Sequence, residues 1–225
     1  MSHSISNKQL RLCLLCGLLG CLFMGGSDWL MIYGDTSFTG SLAWLTQGVA
    51  QISPGRNALS LVLAFPAVVF YAVALFSVKH LLREERPQKI YSGLTAVGMT
   101  PWLCLHLFYI MILFLFGFLV RGGQEALAHQ ACEALFHQFV FLVPLGEAII
   151  LLPFLYLFYV TVTGKSVYPR AMALNNPLLI YVVLKVLTGF MPDVPARLAF
   201  VNGLMSESMF LWFLILMIAL PKEKM

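Results

Sequence analysis

Long apolar runs separated by short polar segments make up most of the chain. A helical membrane span needs about 20 predominantly apolar residues, and a single segment in lipid can satisfy its backbone hydrogen bonds only by being helical. The pattern therefore predicts an all-α, polytopic transmembrane bundle. Its six spans are expected at about 10–33, 58–79, 90–120, 139–162, 172–191 and 196–220.

The fifth of these stretches is the least regular. From Pro177 up to the residue before Pro192 it offers only fifteen residues, and one of them is Lys185. We expect it either to begin earlier, near Ala171, or to be a short helix surrounded by protein.

Composition narrows the classes of function. Hydrophobic residues make up 60% of the 225 residues and charged residues 11%, against about 45–50% and about 25% in soluble domains. A soluble globule of this size could not cover so much apolar surface. The sequence therefore predicts a single integral membrane domain whose first partner is the lipid bilayer, and it excludes a soluble enzyme or a nucleic-acid binder.

The basic residues predict the orientation. Ten of the fourteen Lys and Arg lie in the two termini and the second and fourth loops, three lie in the other loops, and Lys185 lies within a span. Basic loops remain cytoplasmic. Both termini are therefore expected in the cytoplasm, with the protein in the cell (inner or plasma) membrane.

Two outer segments have helical patterns of their own. The outer loop 34–57 contains a 41–52 segment in which Leu42, Leu45, Val49 and Ile52 recur at helical spacing beside Trp44. We expect this segment to lie along the membrane interface, where indole rings concentrate. The second segment, 124–138, is predicted to be an outer amphipathic helix that leads into the fourth span.

A stripe of Glu and His lies on that outer helix. Glu125, His129, Glu133 and His137 recur every four residues, a spacing at which imidazole and carboxylate groups could bind zinc. The alternative is a solvated face stabilised by weak pairs between residues four apart. We favour the solvated face and predict no metal and no cofactor.

Ionisable residues within the spans are the strongest indication of function. They are costly in lipid and usually face the bundle interior or a hydrated cavity. With the N-terminus inside, all of them fall between the outer surface and the midplane. We predict a polar cavity that opens toward the outer side, lined by Asp28, His106, Glu147, Lys185, Asn202 and Glu207.

A structural alternative stays open for these residues. Lys185 could pair with one carboxylate as an interhelical lock. The negative charge of three carboxylates exceeds the positive charge of one lysine, however. At least one of the three acids must therefore be protonated, solvated or paired with a ligand. Asn175-Asn176-Pro177 is better explained as a helix start, since Asn is favoured at the N-cap and Pro at the first helical position.

The end of the first span resembles a known family. Ser27-Asp28-Trp29-Leu30, preceded by two glycines and followed by Tyr33-Gly34-Asp35, is similar to the corresponding segment in a family of uncharacterised bacterial six-helix membrane proteins. The resemblance implies a membrane-embedded fold along the whole chain and no particular activity.

Three classes of function are consistent with these observations. In the first, the cavity binds a small or amphipathic ligand and carries it across the membrane with protons, which for so small a bundle suggests a homodimer. In the second, the cavity is the acid–base site of an enzyme acting on a lipid-like substrate. In the third, the protein is a non-catalytic structural or receptor subunit. We place transport slightly ahead of catalysis.

Overall fold

The computed structural model describes residues 5–32, 42, 49 and 52–221, and these are helical almost throughout. Two 3-10 helices, Val78–Leu81 and Arg170–Asn175, lie between longer elements, and no strand occurs within the described ranges. The α-helices of those ranges are α1 (Asn7–Ile32), α2 (Pro54–Ser77), α3 (Glu85–Arg121), α4 (Glu125–Phe139), α5 (Leu142–Val162), α6 (Pro177–Thr188) and α7 (Pro195–Ile218).

Five of these helices, α1, α2, α3, α5 and α7, are long and apolar enough to cross a membrane. Within the described residues this confirms the predicted all-helical chain with several apolar helices, a composition that fits a membrane protein. The remaining apolar helix, α6, has 12 residues. At about 1.5 Å per residue it extends roughly 18 Å, which is less than the roughly 30 Å of a bilayer core.

The expected span at 172–191 is therefore not one continuous α-helix. Proline lacks a backbone N–H and disfavours helical geometry in the residue before it, so the α-helix begins only at Pro177. The N-cap role predicted for Asn176 is confirmed, because its side chain accepts a hydrogen bond from the N–H of Leu178 at 3.0 Å. Its amide also donates to the carbonyl oxygen of Phe154 in α5 at 2.9 Å.

The start of α1 and the residues just after α7 lie at the same end of the bundle. The Asn7 amide at the start of α1 donates to the carbonyl oxygen of Pro221, just after α7, at 2.8 Å. The Tyr168 hydroxyl in the fourth loop donates to the carbonyl oxygen of Leu216 at 2.7 Å, and Arg83 of the second loop bonds Lys165 of the fourth through the backbone. We call this the terminal end.

The opposite end gathers the other connections. The Arg121 guanidinium at the end of α3 donates to the carbonyl oxygen of Ile52 at 2.9 Å. Arg56 at the start of α2 donates to the carbonyl oxygen of Trp29 at 3.0 Å. We call this the Arg121 end.

Helices α1 and α2 pack closely along a seam of small residues. A Cβ added at Gly17 would lie 2.8 Å from the Cβ of Ala74 and 2.8 Å from the ring of Phe213. Further along, Ser27 and Ser60 are fully buried and each hydroxyl donates to the other residue's carbonyl oxygen, at 2.9 and 2.8 Å. The seam therefore satisfies its polar groups within the protein.

The described residues of the 41–52 segment and helix α4 pack against α3. Most of the 41–52 segment, including Trp44, lies outside the described residues. Leu42, Val49 and Ile52 are described, and they are buried in a cluster with Phe116 of α3. Helix α4 occupies the position expected for a helix over 124–138, and the thiol of its buried Cys132 lies 3.6 Å from the carbonyl oxygen of Ile112 in α3.

Candidate functional site

A cavity of about 420 Å³ lies between α1, α3, α5, α6 and α7. It is in the half of the bundle toward the Arg121 end, because Asp28 is near the end of α1 there and Glu147 near the start of α5. Four of the six predicted residues line this cavity: Asp28, His106, Glu147 and Asn202. Helices far apart in the sequence thus bring their ionisable groups to one place.

Asp28 and His106 face each other within this cavity. The carboxylate Oδ1 of Asp28 lies 3.8 Å from the Nδ1 of His106, and the two side chains are 16% and 10% exposed. The Nε2 of His106 is buried and has no hydrogen-bond partner among the described residues. Buried polar atoms are normally paired, so this nitrogen is available to a proton, a water molecule or a ligand.

The rest of the cavity wall is apolar and aromatic. Trp102, Tyr109 and Tyr181 line it together with aliphatic side chains. Tyr71 of α2 supports this wall from behind: its ring centroid lies 5.2 Å from that of Trp102, and its hydroxyl donates to the Oγ of Ser206 at 3.1 Å. The arrangement combines one polar region with a hydrophobic body, as ligand pockets generally do.

Glu207 lies beside the cavity, where it bonds to Trp29. The indole Nε1 of Trp29 donates to the Oε1 of Glu207 at 3.1 Å. Gly203 provides the space for this contact, since a Cβ there would lie 3.0 Å from that oxygen and 3.2 Å from the indole nitrogen. The other carboxylate oxygen, Oε2, is buried without a partner among the described residues.

A second opening, of about 510 Å³, adjoins the cavity and is lined by α1, α6 and α7. We call it the side groove. Trp29 and Glu207 line it together with apolar residues such as Leu184 and Phe210. Ser206 lines both the side groove and the cavity, so one residue of α7 borders the two spaces.

Of the six predicted residues, Lys185 is the one that lines neither the cavity nor the side groove. Its side chain is exposed, and it lies in the last turn of α6, one turn beyond Tyr181, which lines the cavity. A lysine in a last helical turn interacts favourably with the helix dipole. The lock between Lys185 and a carboxylate, which was the structural alternative, is absent from the ion pairs of the described residues.

The two histidines of the Glu and His stripe on α4 contact aromatic rings of α3 and α4. The His129 ring packs edge-on against Phe116 with centroids 5.1 Å apart, and His137 lies 6.1 Å from the ring of Phe136. Within the described part of the chain, no three His, Cys, Asp or Glu side chains are grouped as a metal would require.

Some site residues were not predicted from the sequence. Trp29 was noted only as part of a resemblance, and Trp102, Tyr109 and Tyr181 were not singled out among 30 aromatic residues. Aromatic residues are common in membrane spans, so residue type alone gave no signal. The Ser27-Asp28-Trp29 motif offered a signal for Trp29 alone. Each of the three motif residues makes a polar contact to another helix.

Fold and site together define a helical bundle that has five helices long and apolar enough to span a membrane, with a polar cavity in one half. The chain belongs to a family of unknown function (DUF6796), whose model matches residues 4–223. This agrees with the expected resemblance to uncharacterised proteins along the whole chain, while the bacterial and six-helix parts of that expectation stay predictions. No curated protein and no solved structure matches the chain.

Proposed function

We propose that the chain crosses the cell membrane six times, with both termini in the cytoplasm. The contact between Asn7 and Pro221 supports an even number of crossings. The 3-10 helix Arg170–Asn175 adds about 2.0 Å per residue to the roughly 18 Å of α6, so the two together approach the thickness of a bilayer core. The basic second and fourth loops share the terminal end, as cytoplasmic loops would.

We further propose that the cavity binds a small or amphipathic ligand and opens toward the outer side. The observation that carries this proposal is the cavity itself: four polar side chains from four helices meet in about 420 Å³ of space. Ionisable residues in a membrane mark ligand or proton pathways more often than packing positions. The unpartnered Nε2 of His106 gives the ligand or a proton a specific acceptor or donor.

Proton-coupled transport is the function that this arrangement supports best. Asp28 and His106 form a pair that can hold a proton within the membrane, as carboxylate and histidine chains do in transporters. A ligand that binds at the same pair would exchange with that proton. A bundle this small would work as a homodimer, and α6 presents exposed apolar residues such as Val183 and Val186 for such a contact or for lipid.

An intramembrane acid–base enzyme is the second candidate. The carboxylate of Asp28 lies on the Nδ1 side of His106, so it could orient the imidazole while Nε2 exchanges a proton with a substrate. The side groove, which shares Ser206 with the cavity, would admit a lipid-like molecule from the bilayer.

A purely structural role for these residues has less support. Among the described residues, interhelical hydrogen bonds join Ser27 to Ser60, Tyr71 to Ser206 and Trp29 to Glu207, and neither Asp28 nor His106 makes one. Asp28 and His106 approach only to 3.8 Å, which is longer than a hydrogen bond. Asp28 and His106 therefore contribute little to holding the helices in register.

Molecules retained by the purified protein test this proposal. Wild type, Asp28→Asn, Lys185→Met and the cavity-filling variant Met205→Trp are purified into lipid nanodiscs, and released small molecules are measured by mass spectrometry. We expect a compound retained by wild type and by Lys185→Met to be absent from Met205→Trp and reduced in Asp28→Asn. Retention of the same compounds by wild type and Met205→Trp would contradict the proposal.

Transport and catalysis are separated in proteoliposomes that contain a pH-sensitive dye. If the retained compound drives proton flux that Asp28→Asn and His106→Gln abolish, transport is supported. Conversion of the compound without flux supports the enzyme. Ile150→Phe serves as a milder filling variant if Met205→Trp lowers the thermal midpoint by more than a few degrees.

A further inference from the structure

The charges around the cavity are unevenly distributed. Asp28 and Glu147 line it, Glu207 lies just beside it, and none of the lining residues is a lysine or an arginine. Arg56, at the start of α2, donates to the carbonyl oxygen of Trp29 and is outside the lining. Apart from His106, the wall provides no cation for its carboxyl groups.

The aromatic rings of the wall suit the same kind of ligand. Trp102, Tyr109 and Tyr181 present π surfaces, and an ammonium group within about 6 Å of such a ring is attracted by its quadrupole. Carboxylates together with aromatic rings form the usual environment of bound organic ammonium groups. His106 is 9% exposed and its unpartnered Nε2 can accept a hydrogen bond from such a group when the ring is neutral.

The remaining lining residues indicate an apolar body for the ligand. Met24, Leu105, Ile150 and Met205 form the rest of the wall. A bare inorganic cation would leave this surface unused, since hard cations prefer several oxygen ligands. An apolar group attached to the cation would fill it.

Resting on the proposed ligand-binding function, we propose that the cavity takes an organic cation with an apolar body. The ammonium group lies between Asp28 and Glu147, against the rings of Trp102 and Tyr109. The apolar body packs along the aliphatic wall toward Ser206. An anionic ligand is disfavoured, because it would meet two carboxyl groups of the lining and Lys185 is one helical turn away from it.

Three probes of equal length and different charge test this inference: 4-phenylbutylamine, 4-phenylbutan-1-ol and 4-phenylbutyrate. Binding is measured by titration calorimetry at pH 7 on the full chain in nanodiscs of zwitterionic lipid, with empty nanodiscs subtracted. We expect the amine to bind at least about tenfold tighter than the alcohol, because a charge-assisted hydrogen bond is stronger than a neutral one. The carboxylate should bind most weakly.

Variants assign that preference to the cavity. Asp28→Asn and Glu147→Gln should each reduce the affinity for the amine about fivefold or more and leave that for the alcohol within about twofold. Lys185→Met, the matched exposed control, should change neither.

Two results would overturn the inference in different ways. If the alcohol or the carboxylate binds as tightly as the amine and Met205→Trp abolishes that binding, the cavity binds ligands but does not select cations. The proposed function then stands. If no probe binds in a manner that Met205→Trp or Ile150→Phe weakens, both the inference and the ligand-binding proposal fail.

Discussion

The seam between α1 and α2 and the cavity enclosed by α1, α3, α5, α6 and α7 use polar residues in opposite ways. Ser27 and Ser60 at the seam are fully buried, and each hydroxyl has a partner on the facing helix. One residue further along α1, Asp28 faces a cavity and approaches His106 only to 3.8 Å. A polar group with a complete set of partners holds helices together, whereas one with an incomplete set is available to a ligand.

The two regions also differ in how much space they leave. Glycine and alanine bring α1 and α2 so close that a single added carbon at Gly17 would overlap Ala74. Small residues at helix contacts allow such a close approach. This matters in membranes, because the hydrophobic effect does not drive helices together there and close packing must do so. Around the cavity, bulky side chains such as Trp102 and Tyr181 keep the helices apart. Substitutions at the seam should therefore lower stability, and those at the cavity should lower binding.

The largest effect on stability is expected from Gly17→Ala. The new Cβ would lie 2.8 Å from both Ala74 and Phe213, and overpacking of this kind costs about 1–3 kcal/mol. Gly26→Ala is the matched control, because nothing lies within 4 Å of a Cβ there. Reversible unfolding in mixed micelles measures both variants, and equal stability for the two would contradict the close packing of the seam.

A smaller loss is expected for the serine pair. Ser27→Ala and Ser60→Ala each remove one interhelical hydrogen bond, and such bonds contribute roughly 0.6–2 kcal/mol in membrane proteins. The two hydroxyls also contact each other at 2.9 Å, so the double variant should lose less than the sum of the single losses. A double-mutant cycle of unfolding free energies measures this coupling. Strict additivity would show that the two residues act independently.

The smallest effect on stability is expected at the cavity. Asp28→Asn keeps the shape of a side chain that faces open space, so the unfolding free energy should change by less than about 0.5 kcal/mol. The same variant should retain less of the ligand than the wild type does. Lys185→Met provides the comparison, with neither stability nor retention changed. A loss of several kcal/mol in Asp28→Asn would place Asp28 with the structural residues of the seam.

The helices could be predicted because membrane spans require long apolar runs. The structure agrees closely for α1, α2, α3, α5 and α7, whose bounds lie within a few residues of the expected ones. It differs at 172–191, where Asn176-Pro177 starts an α-helix that is too short to span alone. Hydropathy alone does not show where this helix begins, whereas the capping preferences of Asn and Pro predicted its start at Asn176-Pro177.

The site was only partly predictable, for a different reason. A polar or ionisable group is costly in lipid, so it is expected to face something polar. From this cost and from the depth of each residue, the sequence predicted Asp28, His106, Glu147 and Asn202 in one half of the bundle. It does not say which neighbour a side chain meets. Lys185 lies one turn beyond Tyr181 on the same side of α6 and yet is exposed, because the packing of the helices decides where the cavity ends.

Water access to the cavity tests the central claim most directly. Met205→Cys, which lines the cavity, and Val183→Cys, on the exposed face of α6, are introduced singly after the five native cysteines are replaced. A membrane-impermeant methanethiosulfonate reagent is then added from the side of the Arg121 end in sealed vesicles. We predict that Met205→Cys reacts within minutes and that Val183→Cys does not. Equal protection of both thiols would show that no hydrated pocket joins Asp28, His106, Glu147 and Asn202.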